Sequence, residues 1–346
     1  MPRAPDRCPG HRTEKGPLMP LSPIDPQIAA LLKQFGVDGP PPATAPTLEE
    51  MRAGNRMLSL AVAPNPPIEV ASARETELAG VRVRVYRPKE APPPPNEATL
   101  PPKETTLPPT LIFIHGGGFI VGDLDTHDGV CRRLCRDLNA VVVSPAYRLA
   151  PEHPYPAAYE DCLAVAHHVA DHPADFGGGP LALAGDSAGA NLAAGVAQTF
   201  RDESRPLAAQ LLAYPITDLR IGIDYLSRTE CATGYLLTTA ECEKDIRLYL
   251  STDPTAATRA PASPLLAENL HNLAPAIIGC GDLDPLRDEG LAYADALTTA
   301  GVPVKKHRYP GLIHGFINYA THSPAVEAAV TEMTTELAEL LHRSTP

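Results

Sequence analysis

Tryptophan is absent from the 346 residues, and aromatic side chains make up only 5% of them. Little is left of the ring chemistry that anchors a chain at an oil–water or membrane interface. No run approaches the roughly 18 consecutive apolar residues that a bilayer span requires. The first twenty residues, MPRAPDRCPGHRTEKGPLMP, lack the apolar core of about 7–15 residues that marks a secretory signal. An excess of basic charge is missing too: 29 Lys and Arg stand against 41 Asp and Glu, a net charge of −12 that repels phosphate backbones and anionic lipid. Neither nucleic acid nor a membrane is expected as a partner. The seven cysteines form no C-x-x-C pair, although Cys131 and Cys135 share one face of an expected helix. They read as reduced, buried thiols of a cytoplasmic protein, not as a disulfide frame or a zinc site.

What the chain does have is enough hydrophobic residues, 44%, to fill a large core. Residues 1–20 are rich in Pro, Arg and Gly without periodicity and are expected to be a disordered tail. Helical apolar spacing follows in IAALLKQF (28–35) and again near Leu48–Leu60, after the break GPPPATAP. GVRVRVYRP alternates strictly and predicts a half-exposed strand ending at Pro88. Residues 89–109, KEAPPPPNEATLPPKETTLPP, are a proline-rich loop biased to polyproline II.

Beyond the loop, segments at 110–114, 140–146, 181–185, 208–214, 275–280 and 304–309 read as strands separated by helical stretches. Continuous apolar strands between helices predict an α/β fold with a mostly parallel central sheet covered on both faces. The alternation lapses between 215 and 264, which predicts an inserted subdomain. No internal repeat is present.

Three motifs carry chemistry. LALAGDSAGANLAA places Gly185-Asp186-Ser187-Ala188-Gly189 between a strand and a helix, the context in which G-x-S-x-G lifts a serine Oγ above a sheet edge. A glycine-flanked helix N-cap is the plainer reading of the pentapeptide alone. LIFIHGGGFIVGDLDTHD places His115-Gly116-Gly117-Gly118 directly after a strand, where N–H groups can turn into a site; no G-K-[ST] follows to make it a phosphate loop. A serine needs a base and an orienting acid later in the chain, in the order Ser…Asp/Glu…His. RYPGLIHGF supplies His314, and GDLDPLRDEG offers Asp282, Asp284, Asp288 and Glu289. Pro285 suits a first helical position and so favours Asp284 as the acid at the strand-to-helix joint, with Asp282 a turn-capping acceptor.

Taken together, HGGGFIVGDLDTHD (115–128), SPAYRLAPEHPYPAAYED (144–161), GDSAGANLAA (185–194), ASPLLAENL (262–270), GDLDPLRDEG (281–290) and YPGLIHGF (309–316) resemble the hormone-sensitive-lipase-like, or bacterial family IV, carboxylesterases of the α/β-hydrolase superfamily. The resemblance runs from about Ile28 to the C-terminus. It implies Ser187 as nucleophile, His314 as base, Asp284 as acid, and an oxyanion hole from the N–H groups of Gly117, Gly118 and Ala188. It implies an α/β-hydrolase core at 66–214 and 265–346 under a helical cap made of residues 21–65 and 215–264. Tyr147, Arg148 and Glu152 match positions that look architectural. The implied reaction is hydrolysis of a small-molecule ester of short to medium acyl chain through an acyl-enzyme, without cofactor or metal. Amide or N-acyl hydrolysis at the same triad, and a non-catalytic ligand receptor on this fold, are the alternatives. Monomer and homodimer both stay open.

Overall fold

A computed structural model of the chain describes residues 21–36, 46–89 and 107–343. The tail 1–20, the proline-rich break at 39–46 apart from its last residue, and most of the loop 89–109 lie outside the described residues. Eight strands form one sheet: β1 (Ser72–Leu78), β2 (Val81–Arg87), β3 (Thr110–Ile114), β4 (Val141–Pro145), β5 (Leu181–Asp186), β6 (Ala209–Ala213), β7 (Ala276–Leu283) and β8 (Val304–Ile313). Their order is β1-β2-β4-β3-β5-β6-β7-β8. The β1–β2 and β2–β4 pairs are antiparallel, and every later pair is parallel. Seven of these strands fall on the segments that the sequence marks as strands, the Val/Arg alternation of β2 among them. The eighth, β1, has the sequence SARETEL, whose mostly exposed polar residues carry no apolar signal. It forms because β2 offers it a complete seven-residue antiparallel register, with Arg82 and Arg84 paired to Glu75.

Helices cover both faces for a reason visible along each strand. On β3, Ile112 and Ile114 point into one apolar cluster while Leu111 and Phe113 point into the other. The first cluster is closed by α4 (Ala157–Asp171), α5 (Ala188–Asp202) and α8 (Arg287–Thr299) through residues such as Val165, Leu192 and Leu297. The second is closed by α1 (Pro26–Gln34), α3 (Asp128–Asp137) and α9 (Pro324–Arg343) through Ile28, Leu134 and Leu337. Helix α5 is almost wholly buried; its run of Ala and Gly lets its backbone lie close to β5.

Three more helices stand outside these layers. Helix α2 (Leu48–Val62) starts with a capping box in which Thr47 and Glu50 bond each other's backbone N–H. Between β6 and β7 lie the single turn α6 (Ser227–Glu230) and α7 (Thr239–Tyr249), the latter capped in the same way by Thr238 and Glu241. The 210s and 220s are tied to the core by a buried ion pair: Arg228 binds Glu289 of α8, and Glu289 also accepts from the Thr217 N–H at 2.9 Å. Burial pushes the Glu289 carboxyl up to about 7, against the opposing pull of Arg228. Among the described residues, no helix is long and apolar enough to cross a membrane. Cys131, Cys135, Cys162, Cys231, Cys242 and Cys280 are free and buried, as their scatter in the sequence predicts.

Candidate active site

Strand β5 ends at Asp186, and α5 begins at Ala188. Ser187 between them takes φ 53° and ψ −120°, a left-handed backbone that residues with a side chain rarely adopt. The turn is possible because its glycines permit close approach: a Cβ on Gly189 would stand 2.0 Å from the Ile114 carbonyl oxygen. The Ser187 N–H is tied to the Ala213 carbonyl at 2.9 Å, and the side chain sits at the C-terminal edge of the sheet.

His314 lies just after β8 and Asp284 just after β7, at the same sheet edge. The imidazole spans them: Nε2 is 2.9 Å from Ser187 Oγ, and Nδ1 is 2.8 Å from Asp284 Oδ2. A carboxylate only accepts, so Nδ1 carries the proton and Nε2 is left to accept the serine hydroxyl. Asp284 is fully buried, and its second oxygen accepts the Leu286 N–H at 2.7 Å, which fixes its rotamer. Pro285 lies two residues before α8, which opens at Arg287, so the helix starts two residues later than its proline suggests.

Of the other acids in GDLDPLRDEG, none reaches His314. Asp282 is not a turn cap: its carboxylate binds Arg308 of β8 and the Ser22 N–H at 2.8 Å, so it fastens the N-terminal segment to the sheet. Asp288 accepts the Ser227 N–H at 2.8 Å, and Glu289 holds Arg228.

The glycine turn after β3 stands beside the serine. Gly117 and Gly118 both have positive φ, 121° and 59°, and no described residue accepts their N–H groups. Ala188, as the first residue of α5, presents an N–H that no carbonyl within its helix can reach. Asp186 answers a question the motif leaves open, namely why an acid precedes the serine. Its Oδ1 accepts the Gly116 N–H at 2.8 Å and faces His127 Nε2 at 3.3 Å, so it locks the glycine turn onto β5. Burial would raise this carboxyl, but His127 and the Gly116 N–H outweigh it and hold the group below the usual carboxylate range. Tyr147 supports the same turn by donating to the His115 carbonyl at 2.8 Å. Burial pushes the His115 imidazole down to about 4, so it is neutral at neutral pH. Arg148 is held by Asp161 and Glu152 by Arg52 of α2, in line with their architectural reading.

Ser187 and His314 open into a cavity of ≈ 330 Å³. One wall is the sheet edge and the glycine turn. The other comes from α2 and α7, with Met51, Asn55, Leu58 and Asp245 among its residues. Among the described residues, no group of three or more His, Cys, Asp or Glu side chains is arranged to hold a metal ion.

A serine, a histidine and a buried aspartate joined in that order above a parallel sheet define a recognisable arrangement, and residues 111–318 match the profile of the alpha/beta hydrolase fold. The chain belongs to this family. Within it, several similar proteins are named as esterases. The carboxylic ester hydrolase LipN of Mycobacterium tuberculosis is 37% identical over 335 residues, covering 92% of this chain and 84% of LipN. The carboxylesterase NlhH of the same organism is 36% identical, over 92% of this chain and 97% of NlhH. The hyperthermophilic esterase of the archaeon Pyrobaculum calidifontis superposes with a TM-score of 0.82 at 35% identity, over 92% of this chain and 99% of its own. Kinship with these carboxylic ester hydrolases agrees with the resemblance read from the six motifs.

Two features of this hydrolase escaped the sequence. Asp186 carried a signal, since an acid between Gly185 and the turn serine at a strand end has few other uses. The pocket residues of α2 and α7 carried none.

Proposed function

We propose that this hydrolase cleaves small-molecule carboxylic esters of short to medium acyl chain through a covalent acyl-enzyme on Ser187. His314 Nε2 takes the Ser187 proton as Oγ attacks the ester carbonyl. The N–H groups of Gly117, Gly118 and Ala188 stabilise the oxyanion, and Asp284 holds the imidazole in its tautomer and stabilises its charged form. His314 then returns the proton to the departing alcohol. A water activated by the same imidazole releases the acid. Helix α2 and residues 215–264 act as a cap over the pocket, a reading supported by the lining that α2 and α7 contribute; α1, expected in the same cap, instead packs into the apolar layer on one face of the sheet through Ile28, Leu31 and Leu32.

The observation that carries the proposal is the unbroken contact Ser187–His314–Asp284 at 2.9 and 2.8 Å. An intact serine–histidine pair also disfavours a receptor that binds without turnover. The test is labelling with a fluorophosphonate probe, which reacts only with an activated serine. Wild type should label and Ser187→Ala should not; labelling retained in the variant overturns the assignment. A nitrophenyl ester panel graded by acyl length tests the chain-length reading.

A further inference from the structure

Helix α7 has the sequence TAECEKDIRLY, which reads as an ordinary solvated helix with few apolar residues. One of its polar side chains faces neither solvent nor a partner. Asp245 lines the cavity that holds Ser187 and His314, and its side chain is only 16% exposed. Its Oδ1 is buried without any hydrogen bond. The nearest cation, Lys244 Nζ, stands 4.0 Å away and is directed instead at Met51 Sδ, at 3.4 Å. The other oxygen abuts the glycine turn: a Cβ built on Gly118 would lie 2.2 Å from Asp245 Oδ2. The carboxyl therefore takes the space that a side chain at position 118 would fill, beside a proposed oxyanion donor.

A second acceptor in the same cavity is also orphaned. Asn55 of α2 lines it, and its Oδ1 is buried without a hydrogen bond. Buried polar atoms are nearly always satisfied, since a buried group with an unmade bond has lost its water without replacement. Two unmatched acceptors from separate helices, both facing the pocket of the reactive serine, call for donors that arrive with the substrate.

We propose that Asp245, together with Asn55, selects carboxylic esters that carry a hydrogen-bond donor, a hydroxyl or an ammonium, within a few atoms of the ester group. The inference rests on Ser187 being the site of hydrolysis. Burial, partly opposed by Lys244 and reinforced by Glu241, pushes the Asp245 carboxyl up to about 7, which accords with a polar group that no protein donor satisfies. A site built around a substrate donor discriminates strongly against the analogue that lacks it, because its buried acceptors are then left unpaired.

The experiment compares isosteric pairs in which one methyl replaces the donor. Ethyl β-hydroxybutyrate and ethyl β-aminobutyrate are measured against ethyl isovalerate for the acyl side, and hydroxypropyl acetate against isobutyl acetate for the alcohol side. Wild type should favour a donor-bearing ester of at least one pair by about tenfold or more in kcat/KM. Asp245→Leu should bring that ratio to about one or invert it. Asp245→Asn, which keeps the shape and one acceptor, should retain part of a hydroxyl preference and lose an ammonium preference. Wild-type ratios near one in every pair overturn the proposal, as do ratios unchanged in both variants. Those results would leave the role of Ser187 standing, because the fluorophosphonate label reads it separately.

Discussion

The two walls of the pocket are built on opposite terms. On the sheet side, the side chains of the candidate site are tied to one another or to the backbone: Ser187 to His314, His314 to Asp284, Asp284 to the Leu286 N–H, Asp186 to the Gly116 N–H. On the helical side, Asn55 and Asp245 leave buried acceptors empty. Catalysis needs groups fixed before the substrate arrives, whereas recognition can leave bonds for the substrate to complete. The first wall is set by strand ends and a strained turn, which few sequences tolerate. The second is carried by helices held to the core mainly through side chains, among them Arg228–Glu289, Arg52–Glu152 and the stacked rings of Tyr249 and Phe119.

The largest effects should come from breaking the satisfied wall. Ser187→Ala should lower kcat for ester hydrolysis by on the order of 10⁴-fold or more, with a melting temperature close to wild type, since one small oxygen is lost from a preserved turn. Retained turnover of more than a few per cent would show that hydrolysis occurs elsewhere. Asp284→Asn should cost on the order of 10²–10⁴-fold in kcat, because an amide can favour the wrong imidazole tautomer. Asp282→Asn provides the contrast within the same loop. It loses a charged partner of Arg308, so it should lower stability by about 1–3 kcal/mol in denaturant melts and leave kcat within a few-fold. The reverse ranking of these two variants would remove Asp284 from the mechanism.

A smaller effect probes the seam where the walls meet. Gly118→Ala forces a side chain into a backbone at φ 59° and against the Asp245 carboxyl. A loss of about 10–10²-fold in kcat is expected, as for a displaced oxyanion donor. In the background Asp245→Gly the clash is gone and only the backbone strain remains, so the same substitution should cost less. Equal losses in both backgrounds would mean that Asp245 does not press on the turn.

The contrast also explains what could be read from the sequence. Apolar strands announce themselves because a sheet covered on both faces needs continuous hydrophobic runs, and the five strands β3 to β7 follow them, while β2 shows as a Val/Arg alternation. Ser187 and His314 are legible because they sit in local signatures, a glycine-flanked turn and a loop in the right chain order. Asp284 is legible through Pro285, even though the helix starts later than that proline implies. Strand β1 is not, because an exposed edge strand is held by its neighbour and by ion pairs. Asp245 is not legible for a similar reason. A polar residue in a helix looks the same whether it faces water or a cavity, and here the decision depends on Gly118, more than a hundred residues away in the chain. Asp282 misleads because its partners, Ser22 and Arg308, are likewise distant.

The mildest prediction separates an empty acceptor from a hydrated one by stability alone. The Asp245 carboxyl moves from an ordinary 3.8 to about 7 on folding, chiefly through burial. The titratable groups that line the cavity with it are Lys244 and Glu241 on its own helix, and Asp186, His127 and His314 across the cavity. Because the folded state holds the proton more tightly, the stabilising effect of protonation is complete below pH 3.8. It is lost progressively as pH rises through about 7, where the folded protein must carry a buried charge whose Oδ1 has no hydrogen-bond donor. Asparagine has the same shape and never ionises. The melting temperature of Asp245→Asn, measured against wild type at each pH so that other titrations largely cancel, should therefore shift in favour of the variant by a few degrees across that window. Above it the difference should level off. A difference that stays flat from acid to neutral pH would mean that the carboxylate is already solvated, and that the helical wall is as satisfied as the sheet edge.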